Sequence, residues 1–465
     1  MAKKTIKIIV LFVVLGLLTI AMFGCAETEE DNHLWVLTDS HPSSTYYMLI
    51  ERIMATFKED HPEVTIEVES IPTALEERDI FLERVRSQIM AGEGPDVYLM
   101  SWYTPLFSDV EHSMHNGAFQ DISAYYNADD ELPKDRMSQS IMESGVLDGK
   151  RYVLPLNFNV PVLYVDKQQV ENAGLDVNTL GTGLSGLSDV VKALGSEALI
   201  AEPAMLYYYL PNMFSSLIDY KEEKAVWDKK ELVVFLNDYR ALMTEINAAD
   251  IPYALGNMGT HISNGDYWAQ NGHCVYMGTL TELVDNLRLA KAEETDLAII
   301  PIRTASGAIS ANVTNYGAIG AGTGSPKLAY EFLRNFLLEE NQWENNIVDS
   351  PQGSLLTGNW PVLTDGSWSD ANSDIWRKAS QITGSGSEAT ARKNALKFAE
   401  LTEGDFEVIL STFDVVYFPV HGGTEYMQVI IENLNPYMNP AAGEVDMGVL
   451  ADKLIDKMQH HLSEG

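Results

Sequence analysis

The chain has 465 residues, 46% of them hydrophobic and 21% charged, which is enough apolar mass for a large core and points to two or three globular domains. Its formal net charge of −36 repels nucleic acid and anionic lipid, and favours neutral or cationic ligands. With only Cys25 and Cys274 in the sequence, packing rather than disulfide bonding must hold the fold together.

Lys3, Lys4 and Lys7 followed by the apolar run Ile8–Gly24 read as an export signal, slightly short for a membrane-spanning helix. Met22-Phe23-Gly24-Cys25 resembles the lipobox of bacterial lipoproteins, which implies removal of residues 1–24 and lipidation of Cys25. Removing residues 1–24 takes three lysines and no acid, giving a mature charge of −39. Residues 25–32 read as a tether. Leu34–Leu37 is a first strand with the polar tip Thr38-Asp39-Ser40-His41-Pro42-Ser43-Ser44. Tyr46, Leu49, Ile50, Ile53 and Phe57 recur at helical spacing, predicting a helix to about Asp60 that His61-Pro62 stops. Val64, Ile66 and Val68 alternate as a second strand, and Thr73–Met90 is a second helix.

Ala91–Tyr103 (AGEGPDVYLMSWY) then has the order of a helix end, a glycine turn, a buried strand and a polar-aromatic tip. This strand–helix–strand–helix–strand pattern predicts an α/β sheet covered on both faces. Gly117–Ile122 reads as turn and strand, Asp148–Pro155 as a hairpin turn with a strand leaving it, and Lys167–Gly174 as a helix. Ser215–Leu242 reads as helical, with Trp227 and Phe235 for packing. Leu297–Ile300 is a strand closed by Pro301, and Gly272–Met277 a turn entering a strand with Cys274 as a buried thiol. Gly320–Lys327 (GAGTGSPK) lacks the Gly-Lys-Ser/Thr of a phosphate-binding loop; Ser325 as N-cap and Pro326 as first helical residue account for it. Trp376–Thr402 is largely helical around Gly384-Ser385-Gly386, Phe413–Pro419 is apolar, and Val445–His461 is a terminal amphipathic helix.

The lipobox, the first strand with its polar tip, Phe57–Pro62, AGEGPDV at 91–97, Gly149–Pro155 running into Val162–Lys167, NGHCVYMGT at 271–279 and SPKLAYEFLRNFL at 325–337 follow one another in a familiar order. In that order and spacing the chain resembles the extracellular solute-binding proteins of bacterial ABC importers, in the group that includes the maltose- and oligosaccharide-binding proteins. The resemblance implies a two-lobed periplasmic-binding-protein-like α/β fold, each lobe a mainly parallel sheet flanked by helices. It assigns residues 33–155 and 317–349 to lobe 1, and 156–316 and 350–465 to lobe 2. Crossings between lobes are expected at Pro155–Val160, at Asn312–Gly320 and within Asp349–Pro361. The implied function is capture of a sugar or oligosaccharide by hinge closure and delivery to the permease subunits, by a monomer lipid-anchored outside the bacterial cytoplasmic membrane.

The expected ligand-binding residues are Thr38, Asp39 and Ser43 at the first strand tip, and Ser101 and Trp102 at the third. Asn157, Asn159 and Tyr316 come from the crossings, Tyr267 and Trp268 from a second-lobe loop, and Trp360 from the cleft floor. Of Tyr207, Tyr208 and Tyr209, one or two at most can share a face. The family often places a tryptophan just after the glycine matching Gly278, but Thr279 and Leu280 follow here, so the usual second-lobe aromatic platform is missing. No GxSxG elbow, HExxH helix or CxxC pair occurs, and no catalytic residue, cofactor or metal is expected. His112 and His115 lack a further ligand nearby. The chain therefore reads as a binder and not an enzyme. A polyamine-type solute on the same fold, and a sugar-active enzyme or ligand-sensing partner protein, are the alternatives left open.

Overall fold

A computed structural model describes residues 32–101, 104–107, 109–195, 199–200, 218–219, 222–249, 275–280, 287, 290, 294–304, 307–342, 360–363, 417–420, 430, 432–434, 437 and 443–464. In chain order the principal strands are β1 (His33–Thr38), β2 (Thr65–Ser70), β3 (Val97–Ser101), β4 (Val153–Asn159), β5 (Pro161–Asp166) and β6 (Leu199–Ile200). They continue with β7 (Val275–Thr279), β8 (Leu297–Pro301), β9 (Ile309–Ile319), β10 (Trp360–Pro361) and β11 (Tyr417–Val420). The principal helices are α1 (Thr45–Asp60), α2 (Leu75–Ala91), α3 (Val110–His115), α4 (Ser123–Ala128), α5 (Lys167–Asn172), α6 (Ser185–Leu194), α7 (Lys229–Ala248), α8 (Pro326–Arg334) and α9 (Met447–Glu464).

Two mixed sheets organise these elements. The first runs β10-β4-β9-β3-β1-β2, with β11 also pairing β9. Its β2-β1-β3 portion is parallel, whereas β9 is antiparallel to both β3 and β4. The second sheet runs β8-β5-β7-β6. The long first core gathers α1, α2 and α8 around the first sheet, and the second gathers α6, α7 and α9 on Leu163, Val165 and Val275 of the other. Because β4 stays in the first sheet through Asn159 and β9 joins it from Ile309, the boundaries expected at Pro155 and Tyr316 fall inside strands of the first sheet. β10 and β11 lie in that sheet too.

Local chemistry explains how the first sheet is closed. Gly92, at φ 75°, ends α2 in the left-handed conformation, and Glu93 N donates to Gln88 O at 2.9 Å. Asp96 fastens three elements: its carboxylate accepts from Trp35 N at 2.8 Å and from Thr323 Oγ1 at 2.6 Å, and its carbonyl accepts from Gly320 N at 3.0 Å. The glycines of GAGTGSPK are there for that approach. A Cβ on Gly320 would lie 2.2 Å from Pro95 O, and one on Gly322 would lie 2.5 Å from Gly92 O. The loop that looks like a phosphate cradle is a backbone-to-backbone seam.

Two expectations change. Ser215–Leu242 is not one helix: Ile218–Asp219 and Lys224–Ala225 form a hairpin turned at Glu223, φ 47°, and α7 starts only where Asp228 accepts from Lys230 N and Glu231 N. Gly117–Ile122 forms only an isolated bridge, Phe119 to Gly320. Ser325 is the N-cap of α8 and Pro326 its first residue, as expected, but the Ser325 side chain makes no cap hydrogen bond. The hairpin at Asp148-Gly149, both at positive φ, and the terminal helix stand as expected. Trp376–Thr402 lies outside the described residues, as does Phe413–Pro419 apart from its last three positions.

Gly320→Ala is expected to cost about 1–3 kcal/mol by forcing the seam apart. Gly324→Ala, whose Cβ would meet nothing within 4 Å, should be close to neutral in the same urea denaturation series.

Candidate functional site

The carboxyl ends of parallel strands are where open α/β sheets bind ligands, and here β1 and β3 end side by side. Asp39, one residue beyond β1, accepts from Ser101 N at 2.9 and 3.0 Å through its two oxygens, and from Ser101 Oγ at 2.6 Å. Burial holds its carboxyl above the ordinary carboxylate range, with the Ser101 and Thr104 hydrogen bonds opposing that shift. Asp39 is thus a positioning residue that fixes the β3 tip. The tip is braced beyond it as well. Thr104 N donates to Ser101 O at 3.2 Å, Arg86 donates to the carbonyls of Pro105 and Leu106, and Phe107 packs edge-on against Tyr98 and Phe119.

From Ser101 a row of polar side chains crosses the sheet. Ser101 lies opposite Asn315, and Asn315 lies opposite Asn157. The ladder is irregular on either side of this row: Val313 faces Phe158 and Tyr316 faces Pro155, leaving Thr314 and Leu156 as extra residues. The irregularity lets two consecutive residues reach one oxygen, with Thr314 Oγ1 at 2.7 Å and Asn315 Nδ2 at 2.8 Å from Asn157 Oδ1. The buried Gln342 supports the distortion, donating to the carbonyl of Leu156 at 2.9 Å and accepting from Val362 N at 2.8 Å. No charged residue occurs in β3, β4, β9, β10 or β11.

The structure distributes the expected ligand contacts unevenly. Ser101 and Asn157 join the row, with Asp39 behind Ser101. Asn159 is half-buried and accepts from Val160 N at 2.8 Å, just before the chain leaves for the second sheet. Thr38 is fully buried and its hydroxyl is taken by Ser40 N at 3.1 Å, so it shapes the turn. Ser43 is exposed and bonded to His41, while the cap of α1 is Ser44. Tyr316 is corrected to a core residue: past the irregularity it sits opposite Met100 and Pro155, at 0% exposure. Trp360 is likewise buried, 1% exposed, beside Phe158 in the first core. Trp102, Tyr267, Trp268, Tyr207–Tyr209, Cys25 and Cys274 lie outside the described residues. Thr314, Asn315 and Gln342 were not foreseen, although the alternation Ile309-Ser310-Ala311-Asn312-Val313-Thr314 carries the signal for a strand with one polar face.

Two further groups are tuned by burial. Tyr46 Oη, on the first turn of α1, is buried with no hydrogen-bond partner, and burial with the nearby Asp39 charge keeps it protonated. Glu111, in the first turn of α3, is pushed up to about 7 by burial and by the charges of Asp109 and Asp219. Asp219 belongs to the hairpin beside the second core, so the two halves of the molecule set acids against each other there. Among the described residues no group of three or more His, Cys, Asp or Glu could hold a metal ion, and no helix is long and apolar enough to cross a membrane.

These features define a two-lobed, periplasmic-binding-protein-like fold with an uncharged polar row across its first sheet. Residues 38–196 match the family described as bacterial extracellular solute-binding protein, as the resemblance in sequence implied. Curated proteins of Brucella abortus and Brucella suis, named as binding proteins, are 26% identical over 183 residues, 39% of this chain. That match spans 40% of the relatives' own length. Among solved structures, the sugar-binding protein MalE from Xanthomonas citri has a TM-score of 0.60 at 11% identity, covering 93% of this chain and 98% of its own. A periplasmic oligogalacturonide-binding protein from Yersinia enterocolitica has a TM-score of 0.58 at 13% identity, covering 93% and 99%. The cyclic alpha-maltosyl-1,6-maltose-binding protein from Arthrobacter globiformis has a TM-score of 0.57 at 15% identity, covering 93% and 99%. At these identities the likeness is one of fold.

Asp39→Ala should destabilise the chain by about 1–3 kcal/mol by stranding Ser101 N–H, whereas Asp39→Asn keeps an acceptor and should lose less in urea denaturation. Glu111 gives a pH test. Between the unfolded value of 4.5 and about 7, the folded chain holds a proton that the unfolded chain releases, so stability falls as pH rises through that window. Glu111→Gln should therefore raise the melting temperature relative to the parent at pH 7.5 and leave it nearly unchanged at pH 4.5.

Proposed function

We infer that the protein is the solute-capturing subunit of an ABC importer that takes a sugar or oligosaccharide between its lobes and passes it to the permease. It works outside the cytoplasm, held by lipid at Cys25, and it binds without catalysing a reaction. The observation that carries the ligand class is the row Ser101-Asn315-Asn157: hydroxyl and amide groups on strands that contain no charged residue. Such groups match the hydroxyl edges of a neutral sugar. A polyamine would need carboxylates to bracket each ammonium, and the carboxylate at this edge, Asp39, is already engaged by Ser101. The sugar-binding names of structural relatives support the same reading. On this reading Trp102, next to the fixed Ser101, supplies the flat face on which a ring packs, and Tyr267 and Trp268 act from the second lobe.

The test is a thermal-shift screen of the full chain against neutral mono-, di- and oligosaccharides, with spermidine alongside. A true ligand at 100 times its dissociation constant should add ~2.7 kcal/mol of stability. Trp102→Ala should weaken that ligand's binding at least tenfold with melting unchanged in its absence. A response to spermidine alone would replace the carbohydrate assignment, and turnover of a sugar would end the pure-binder reading.

A further inference from the structure

The strand β9 has two unlike faces. Ile309, Ala311 and Val313 enter the first core, so by strand alternation Ser310, Asn312 and Thr314 point the other way. Thr314 meets Asn157 of the polar row. The other two are packed in the protein but leave a side-chain atom unpaired: Ser310, 0% exposed, and Asn312, 6% exposed, bury Ser310 Oγ and Asn312 Oδ1 with no hydrogen-bond partner. Folded proteins satisfy nearly all such atoms. Two such orphans lie on one face of one strand that leads into a row already built from hydroxyls and amides, and a bound ligand would pair them.

The chemistry of the orphans narrows that ligand. An amide Oδ1 only accepts, so its partner must donate, while a serine hydroxyl can do either. A cation could donate, but β9 and the strands paired with it, β3, β4 and β11, hold no carboxylate. An alcohol hydroxyl meets both requirements. Along an extended strand at ~3.3 Å per residue, Ser310 and Thr314 are about 13 Å apart, farther than one sugar ring reaches.

We propose that Ser310 and Asn312 form a hydroxyl-binding subsite for a neutral oligosaccharide that lies along β9 and ends on the Ser101-Asn315-Asn157 row. The proposal rests on the carbohydrate reading and adds to it the chain length of the ligand and a place for its distal ring.

Isothermal titration of the full chain with maltotriose, xylotriose and mannotriose, each against its monosaccharide, tests it. At least one trisaccharide should bind tenfold or more tightly than its monosaccharide. Ser310→Ala and Asn312→Ala should each lose about tenfold on that trisaccharide, change the monosaccharide little, and leave the melting temperature unchanged or raised. If the parent binds a trisaccharide and both variants bind it equally, the subsite is overturned and the carbohydrate reading stands. If none of the six sugars binds, both are overturned. Should either variant fail to fold, hydrogen exchange on the parent chain decides: the trisaccharide should slow exchange in residues 309–314, and unchanged exchange there overturns the subsite.

Discussion

One strand constrains everything else in the first half of the molecule. β9 arrives from the second half of the chain, inserts antiparallel between β3 and β4, and buries ten of its eleven residues. To do so its carboxyl end must come into backbone contact with the turn before β3, which is why glycine stands at 320 and 322 and why Asp96 bonds both β1 and the turn after β9. Gly317 answers the same demand on the helix side, since a Cβ there would lie 2.2 Å from Leu333 Cδ1 of α8. With one end locked, the register of the strand is fixed. The polar row, the irregularity at Thr314 and the two-faced segment 309–314 all follow from that register.

This explains which parts of the fold were legible in the sequence. Gly92, Pro95, the Val97–Met100 run and the Asp148-Gly149 turn act on their own neighbours, so their chemistry can be read locally, and the structure has them as expected. The β9 insertion is a pairing between residues far apart in the chain: Asn315 and Asn157 are separated by 158 positions. No local pattern announces which strand accepts such a partner, or that a ladder irregularity will bring Thr314 and Asn315 onto one oxygen. Tyr316 and Trp360 looked like cleft residues because aromatic rings near a crossing suit sugars, but the pairing of their strands turns both into the core. The Ser215–Leu242 segment failed for a different reason. Trp227 and Phe235 are compatible with a single amphipathic helix, and only the turn at Glu223 and the cap at Asp228 show that the helix starts later.

The electrostatics of the chain separate in the same way. The chain carries a net charge of −36, yet the strands carrying the row are free of acids, and the Asp39 carboxylate beside it is engaged by Ser101. Overall charge therefore describes solubility and repulsion, and says little about the ligand. On the carbohydrate reading proposed above, the row would select by hydrogen-bond direction. On that reading, the row's acceptors and hydroxyls would be matched by neutral donors, with Trp102 and the second lobe supplying the aromatic surface.

Closure over a ligand requires that the shut state be favoured only when something fills it. On the proposal made for β9, Ser310 Oγ and Asn312 Oδ1, buried without hydrogen-bond partners, would supply that bias. Each such group costs about 1–3 kcal/mol when desolvated and unpaired. In the proposed subsite, closing empty would leave these atoms unpaired, whereas closing on an oligosaccharide would pair them with ligand hydroxyls. The same atoms that would recognise the distal ring thus penalise closure without it. On that proposal, recognition along β9 and closure would be one free-energy difference, set by a strand whose position is fixed by the seam at Gly320.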